Sequence, residues 1–173
     1  MELNDLLLYA ALILGIMGFI GFISQENITD TYGELYNYTD GGWTLSIPVT
    51  AKYYNLTKFQ CGDINNMICD GSNGILQVQQ SGIYLAAASI SVTAGVDGEY
   101  GFGIVKNNEN PETIDPSCYM RWTGLGKTTP RSTSCIKRLN TGDKVQVMID
   151  DEKTPTQNAV ISTAQLILTR IGD

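Results

Sequence analysis

The segment Gln80-Ser-Gly-Ile-Tyr-Leu-Ala-Ala-Ala-Ser-Ile-Ser-Val92 decides how the rest of the chain is read. At a period of two, Tyr84, Ala86, Ala88, Ile90 and Val92 form one wholly apolar set. Ile83, Leu85, Ala87, Ser89 and Ser91 form a second set, apolar at its start and polar at its end. On a strand these sets face opposite sides of the sheet, so the first packs on a core and the second can be covered as well. Three consecutive alanines would also suit a helix. The Ser-Gly before them, the β-branched residues among them and the Gly95-Val-Asp-Gly98 turn signal after them favour a strand. Small side chains at Ala86, Ala87 and Ala88 predict a close approach there, by an opposing sheet or by a neighbouring subunit.

Working outward, further strands follow from the same alternation. Gly33 to Tyr36 opens the folded part. Trp43, Leu45, Ile47 and Val49 alternate with polar residues as a half-buried strand, in which Pro48 points to a sheet edge. Tyr53 to Phe59 is expected to pair beside it, and Cys61 to Gly74, rich in Asn, Asp and Gly, reads as a loop. Strands are predicted over Ile75–Val78, Glu99–Val105, Cys118–Trp122, Ser134–Leu139, Lys144–Ile149 and Ala159–Ile171. Thr123–Arg131 and Asp150–Gln157 read as loops. In Glu99–Val105, Tyr100, Phe102 and Ile104 share one face, while Gly101 and Gly103 leave the backbone bare on the other. Regularly spaced strands with no amphipathic helix between them make an all-β sandwich.

Composition narrows the function. A net charge of −7 makes nucleic acid a poor partner. The chain has no His, which removes Ser-His-Asp and Cys-His nucleophiles and His-ligated metal sites. Cys61, Cys69, Cys118 and Cys135 contain no Cys-x-x-Cys pair, so a zinc cluster is disfavoured. They are either two disulfides or reduced thiols. Cys61–Cys69 with Cys118–Cys135 is the most local of the three possible pairings.

Leu6 to Ile23 carries no charge. As a helix it spans roughly 27 Å, close to the hydrocarbon thickness of a bilayer. The acidic start, Met-Glu-Leu-Asn-Asp, is unlike a signal peptide. A single transmembrane anchor over residues 1–24 is expected, then a connector over 25–32 and the folded head over 33–173. Gly15, Gly18 and Gly21 form a small-residue stripe that suits helix–helix packing in lipid, although glycine is common in such spans. Asn27, Asn37 and Asn55 begin Asn-x-Thr sequons, open to glycosylation where the chain meets that machinery.

Gly82-Ile-Tyr84 starts the central strand, and a strand through Ile104 ends in Lys106-Asn107. Leu139-x-x-Gly142-Asp143-x-Val145-x-Val147 forms a late turn and strand, and an apolar strand through Ala164–Leu168 closes the chain. In this order the pieces resemble the jelly roll shared by tumour necrosis factor and the complement globular head, which also occurs in small virion proteins. The resemblance covers about residues 33–171. It implies an all-β jelly-roll sandwich of about ten strands, here preceded by one transmembrane helix. It also implies a homotrimer formed through one apolar face, macromolecular partners bound by its loops, and no catalysis. No collagen-like stalk precedes the head, and the short connector places it beside the lipid.

Candidate chemistry is sparse, and no cofactor is expected. Asp150-Asp-Glu152, and Asp63 with Asp70, have the ligand type of calcium loops, against the plainer reading of solvated loops. Tyr36, Tyr38, Trp43, Tyr53 and Tyr54 could line a glycan or protein contact, or belong to a core or subunit interface. Arg121, Lys127 and Arg131 form a basic cluster that is either a contact for an acidic neighbour or ordinary surface. The leading expectation is a non-enzymatic virion minor capsid or spike protein linking a membrane to a protein shell. The alternatives are a cell-surface binding module of the same fold and a pilin-like subunit. Asp5 before a hydrophobic helix favours the last, although pilins carry a processed N-terminus.

Overall fold

The computed structural model describes residues 30–49, 52–93, 98–107, 116–124, 126–152 and 158–173. Leu6–Ile23, Gly15, Gly18, Gly21, Asn27 and most of the connector lie outside them, and among the described residues no helix is long and apolar enough to cross a membrane. Among the described residues eleven strands form two antiparallel sheets. Their bounds are β1 Tyr32–Leu45, β2 Tyr54–Asn55, β3 Gln60–Asn65, β4 Met67–Asp70, β5 Ile75–Val78, β6 Gly82–Thr93, β7 Glu99–Lys106, β8 Tyr119–Thr123, β9 Thr128–Leu139, β10 Lys144–Asp151 and β11 Ala159–Gly172. One sheet has the order β3-β1-β11-β6-β9. The other runs β4-β5-β10-β7-β8, with β2 added on β10. The described helical structure is one 3-10 turn, Pro116–Cys118.

The core lies between the sheets and is supplied by the expected faces. Tyr84, Ala86, Ala88, Ile90 and Val92 are buried, opposite Tyr100, Phe102, Ile104, Val145, Val147 and Ile149 of the facing sheet. Thr31, two residues before Gly33, is 1% exposed and its carbonyl accepts the Arg170 N–H.

The motif pieces meet in space. The Asn107 side chain accepts a bond from the Lys144 N–H at 2.8 Å and donates to Asp143 Oδ1 at 2.7 Å, tying the end of β7 to the Gly142-Asp143 turn. Tyr84 is fully buried and its hydroxyl donates to the Gln80 carbonyl at 2.6 Å. At Gly82 a Cβ would lie 2.5 Å from Arg170 Nε and 2.6 Å from the Gly172 carbonyl oxygen, so a side chain there displaces the end of β11. Gly82→Ala is expected to cost about 1–3 kcal/mol by overpacking. Urea denaturation reads this, and an unchanged midpoint would show that β11 yields freely.

Several expectations are corrected. Cys61–Gly74 is not a loop: it contains β3 and β4, joined through Asn66 at φ 54°. Its polar composition reflects two edge strands, one bordering each sheet and each wet on one side. Tyr54–Asn55 pairs with Met148–Ile149 of β10 and not beside the Trp43 segment. That segment leaves the sheet after Leu45, while Ile47 remains buried. β9 begins at Thr128, within the expected Thr123–Arg131 loop, because an edge strand needs little apolar alternation. Asp150 and Asp151 end β10 and are 1% and 0% exposed, so they are not a solvated loop.

Candidate interaction surface

The outward side of the β3-β1-β11-β6-β9 sheet is the most distinctive surface of the head. Strand register sets four rows across β1, β11, β6 and β9. They are Tyr32–Thr169–Leu85–Ile136, Glu34–Ile167–Ala87–Ser134, Tyr36–Gln165–Ser89–Ser132 and Tyr38–Thr163–Ser91–Pro130. These sixteen positions carry one charge, Glu34, and its carboxylate accepts a bond from Gln165 Nε2 at 2.7 Å. Tyr38 is 78% exposed, Ile136 62% and Leu85 42%. A solvated sheet face normally carries charge of both signs, so a face this poor in charge, with Tyr38, Ile136 and Leu85 exposed on it, is a candidate contact surface. Its middle is hollow. Ala87, Ser89, Ser132 and Ser134 line a depression of about 260 Å³, continued by a second along Ser91 and Pro130. The alanine run thus divides: Ala86 and Ala88 serve the core, and Ala87 serves this hollow.

Two disulfides close the two open sides of the sandwich. Cys61–Cys69 joins β3 to β4, the edges at one side. Cys118–Cys135 joins the turn before β8 to β9, the edges at the other. The second is the buried one, with its cysteines 0% and 5% exposed.

The remaining candidates are dispersed. Trp43 is buried, Tyr36 and Tyr38 are on the outward face, and Tyr53 and Tyr54 lie at β2. Asn37 is 8% exposed and its Nδ2 donates to the Lys58 carbonyl, so this sequon is not an open glycan acceptor in the folded head. The Asn55 Oδ1 is also enclosed. Arg131 stacks over Trp122 at 5.6 Å, Arg121 pairs with Glu152 at 2.8 Å, and Lys127 is exposed. Asp70 is occupied locally by Ser72 and Asn73, whose hydrogen bonds hold its carboxyl below the usual range. Successive residues on a strand face opposite ways, so Asp150 and Asp151 do not converge on one ion. Among the described residues no cluster of three acids or thiols is placed to hold a metal.

Sequence reasoning missed a polar cluster on the bare side of β7. A Cβ at Gly101 would meet Tyr119 Oη and Asp150 Oδ1, so glycine there makes room for both. Tyr119 Oη donates to Glu152 Oε1 at 2.7 Å and accepts from Arg121 Nε at 3.2 Å. Burial pushes the Asp150 carboxyl up to about 7, and the Glu152 charge adds to this. The Gly101 N–H and Arg121 oppose it. The folded state therefore holds this proton where the unfolded chain has released it. The contribution favouring the fold is present below the unfolded value near 4 and is lost as pH rises toward 7. The melting midpoint is expected to be higher at pH 5 than at pH 8, and Asp150→Asn is expected to flatten that difference. A variant that keeps the full pH dependence would assign it elsewhere.

The strand order of the two antiparallel sheets gives the chain a TNF-like jelly-roll fold. Structures of known proteins support the fold. Eiger TNF from S. frugiperda superposes with a TM-score of 0.59 at 12% identity, over 83% of this chain and 94% of that one. Murine APRIL at pH 5.0 gives 0.58 at 14% identity, over 83% and 100%. Murine APRIL at pH 8.0 gives 0.50 at 16% identity, over 81% and 99%. No family model matches the sequence, and no curated protein matches it.

Proposed function

We propose that this protein is a non-enzymatic binding module: a homotrimeric TNF-like head, held near a membrane by Leu6–Ile23, that engages a further macromolecule through its loops. The observation that carries this is the outward β1-β11-β6-β9 face, sixteen positions with one charge. Such a face is stable in water when another copy covers it. Two measurements test the reading. The full-length chain should sediment as three copies, and it should leave membranes only with detergent, whereas a chain lacking residues 1–24 should be released. Release of the full-length chain by high salt alone would contradict the anchor.

A second reading keeps the same head and makes it a tether between a virion membrane and its protein shell. The favouring observation is the spacing: eight residues separate Ile23 from Tyr32, where β1 begins. Fully extended they reach roughly 26–29 Å, so the head stays beside the headgroups. This reading expects stoichiometric amounts of the protein in purified particles. Its presence in cell membranes and absence from particles would leave the cell-surface binding module.

A further inference from the structure

Exposed isoleucine gathers at one end of the sandwich. β1 starts there at Tyr32, which pairs with Asn65 of β3 on one side and with Thr169 of β11 on the other. Asn65 and Asn66 form the tip between β3 and β4, flanked by Ile64 at 43% and Ile68 at 50% exposure. Just past Thr169, close to the end of β11, Ile171 is 51% exposed. These three isoleucines lie outside the four outward rows. The loops at the same end, 65–66, 79–81 and 140–143, hold Asn, Gln, Ser, Thr and Gly with a single charge, Asp143, which pairs with Lys106. Backbone bonds join them into one floor. The Gln79 N–H donates to the Asn66 carbonyl at 3.2 Å, and the Gly142 N–H to the Val78 carbonyl at 2.8 Å.

This is also the end at which the chain arrives from Leu6–Ile23. The Thr31 carbonyl accepts the Arg170 N–H at 2.8 Å, and the Asp30 carbonyl accepts from Asn65 Nδ2. The path into the fold is thereby fixed beside the β3–β4 tip. Residues 24–29 are then all that separates the apolar segment from the head. A stretch of that length reaches at most roughly 22 Å, and the headgroup layer takes up about 5–8 Å of it. With Leu6–Ile23 in a bilayer, the end that carries Ile64, Ile68 and Ile171 is held within reach of the lipid.

We propose that this end of the head lies on the membrane, with Ile64, Ile68 and Ile171 seated among the lipid headgroups and upper acyl chains. The partner is the phospholipid bilayer that holds Leu6–Ile23, and the inference rests on the anchored reading above. Isoleucine set in the interface is withdrawn from water, and uncharged Asn, Gln, Ser and Thr suit the hydrated headgroup layer. Three partly exposed side chains bind too weakly to hold a protein on a bilayer by themselves. The contact thus sets the tilt of the head while the anchor supplies the attachment, which agrees with release of a chain lacking residues 1–24. Apolar burial and not lipid charge drives such a contact, so zwitterionic lipid suffices.

The test uses the full-length chain reconstituted in phosphatidylcholine vesicles. An environment-sensitive fluorescent amino acid is placed singly at Ile68, Ile171 or Thr44, and lipid carrying a nitroxide near its headgroup serves as the quencher. Thr44 is the control. It is exposed and pairs with Val160, whereas Tyr32 pairs with Thr169, so it lies roughly 30 Å from the isoleucine end along the strands. Emission at 68 and at 171 is expected to fall at least about twofold, because interfacial side chains sit about 5–10 Å into the boundary, while emission at 44 holds. With the reporter at 171, Ile64→Ser with Ile68→Ser should restore most of the lost emission. With the reporter at 68, Ile171→Ser should do the same. Lengthening the connector by about ten Gly and Ser residues at Thr29 leaves a docked head in place and lets a merely tethered one drift away, so the quenching is expected to persist.

Reporters at 68 and 171 as bright as the one at 44, in vesicle-bound protein, would overturn the inference and leave the anchor intact. Blue-shifted but unquenched emission at 68 and 171 would place them under a second copy and overturn it as well. So would quenching that survives the serine substitutions or vanishes with the longer connector, since tethering alone would then explain it. A native chain washed out of the vesicles by high salt would overturn the anchored reading itself. If a serine variant does not fold, the longer connector, which leaves the head untouched, still decides the matter.

Discussion

Replacing Leu85 and Ile136 together with Asp is expected to turn the assembled protein into single copies that remain folded. The two residues are register partners on β6 and β9. Both point outward, at 42% and 62% exposure, so neither supports the core. Within one copy the change should cost about 1 kcal/mol or less, through reduced strand preference. Between copies it places two carboxylates on a face that carries one charge in sixteen positions. Two central contact residues of this kind are worth on the order of 4 kcal/mol, or a thousandfold in association. Sedimentation gives the assembly size and thermal melting gives the fold. Variants that stay assembled would show that copies meet elsewhere. Variants that unfold would show that the outward face is structural.

The second large effect is expected at the buried disulfide. Cys118→Ala with Cys135→Ala should lose about 3 kcal/mol or more in urea denaturation, from a closed loop with a sequence separation of 17. Cys61→Ala with Cys69→Ala opens a loop with a separation of 8 at an exposed rim and should lose less. The asymmetry has a structural cause. β8 hydrogen-bonds to β7 and β9 to β6, each on one side, so the Cys118–Cys135 bond is the covalent seam between two edge strands. Its cysteines sit among the core residues, and cutting it opens the sandwich to water at that side. Equal losses from the two pairs would mean that chain entropy alone governs.

Much of the head is legible in the sequence. The two faces of Gly82–Thr93, the paired faces of Lys144–Ile149 and the Gly142-Asp143 turn come directly from alternation and turn chemistry, because a buried face admits few residue types. The edge elements are less legible. Gln60–Asp70 and Thr128–Ser134 are polar because they border water, and polarity reads as loop. Asp150 misleads for the opposite reason, since its burial depends on Tyr119 and Gly101, which lie elsewhere in the chain. The outward face is the hardest to foresee. Tyr36, Gln165, Ser89 and Ser132 become one row only when four strands distant in sequence fall into register. Ala87 was the single residue there whose small size announced a close contact.

The most direct measurement places a photoreactive amino acid at Ile136 of the full-length chain and maps where it crosslinks. Capture of a second copy is expected, at residues of β1, β11, β6 or β9, with the crosslinked ladder ending at three chains. Crosslinks confined within one copy, or to the surrounding detergent alone, would contradict it.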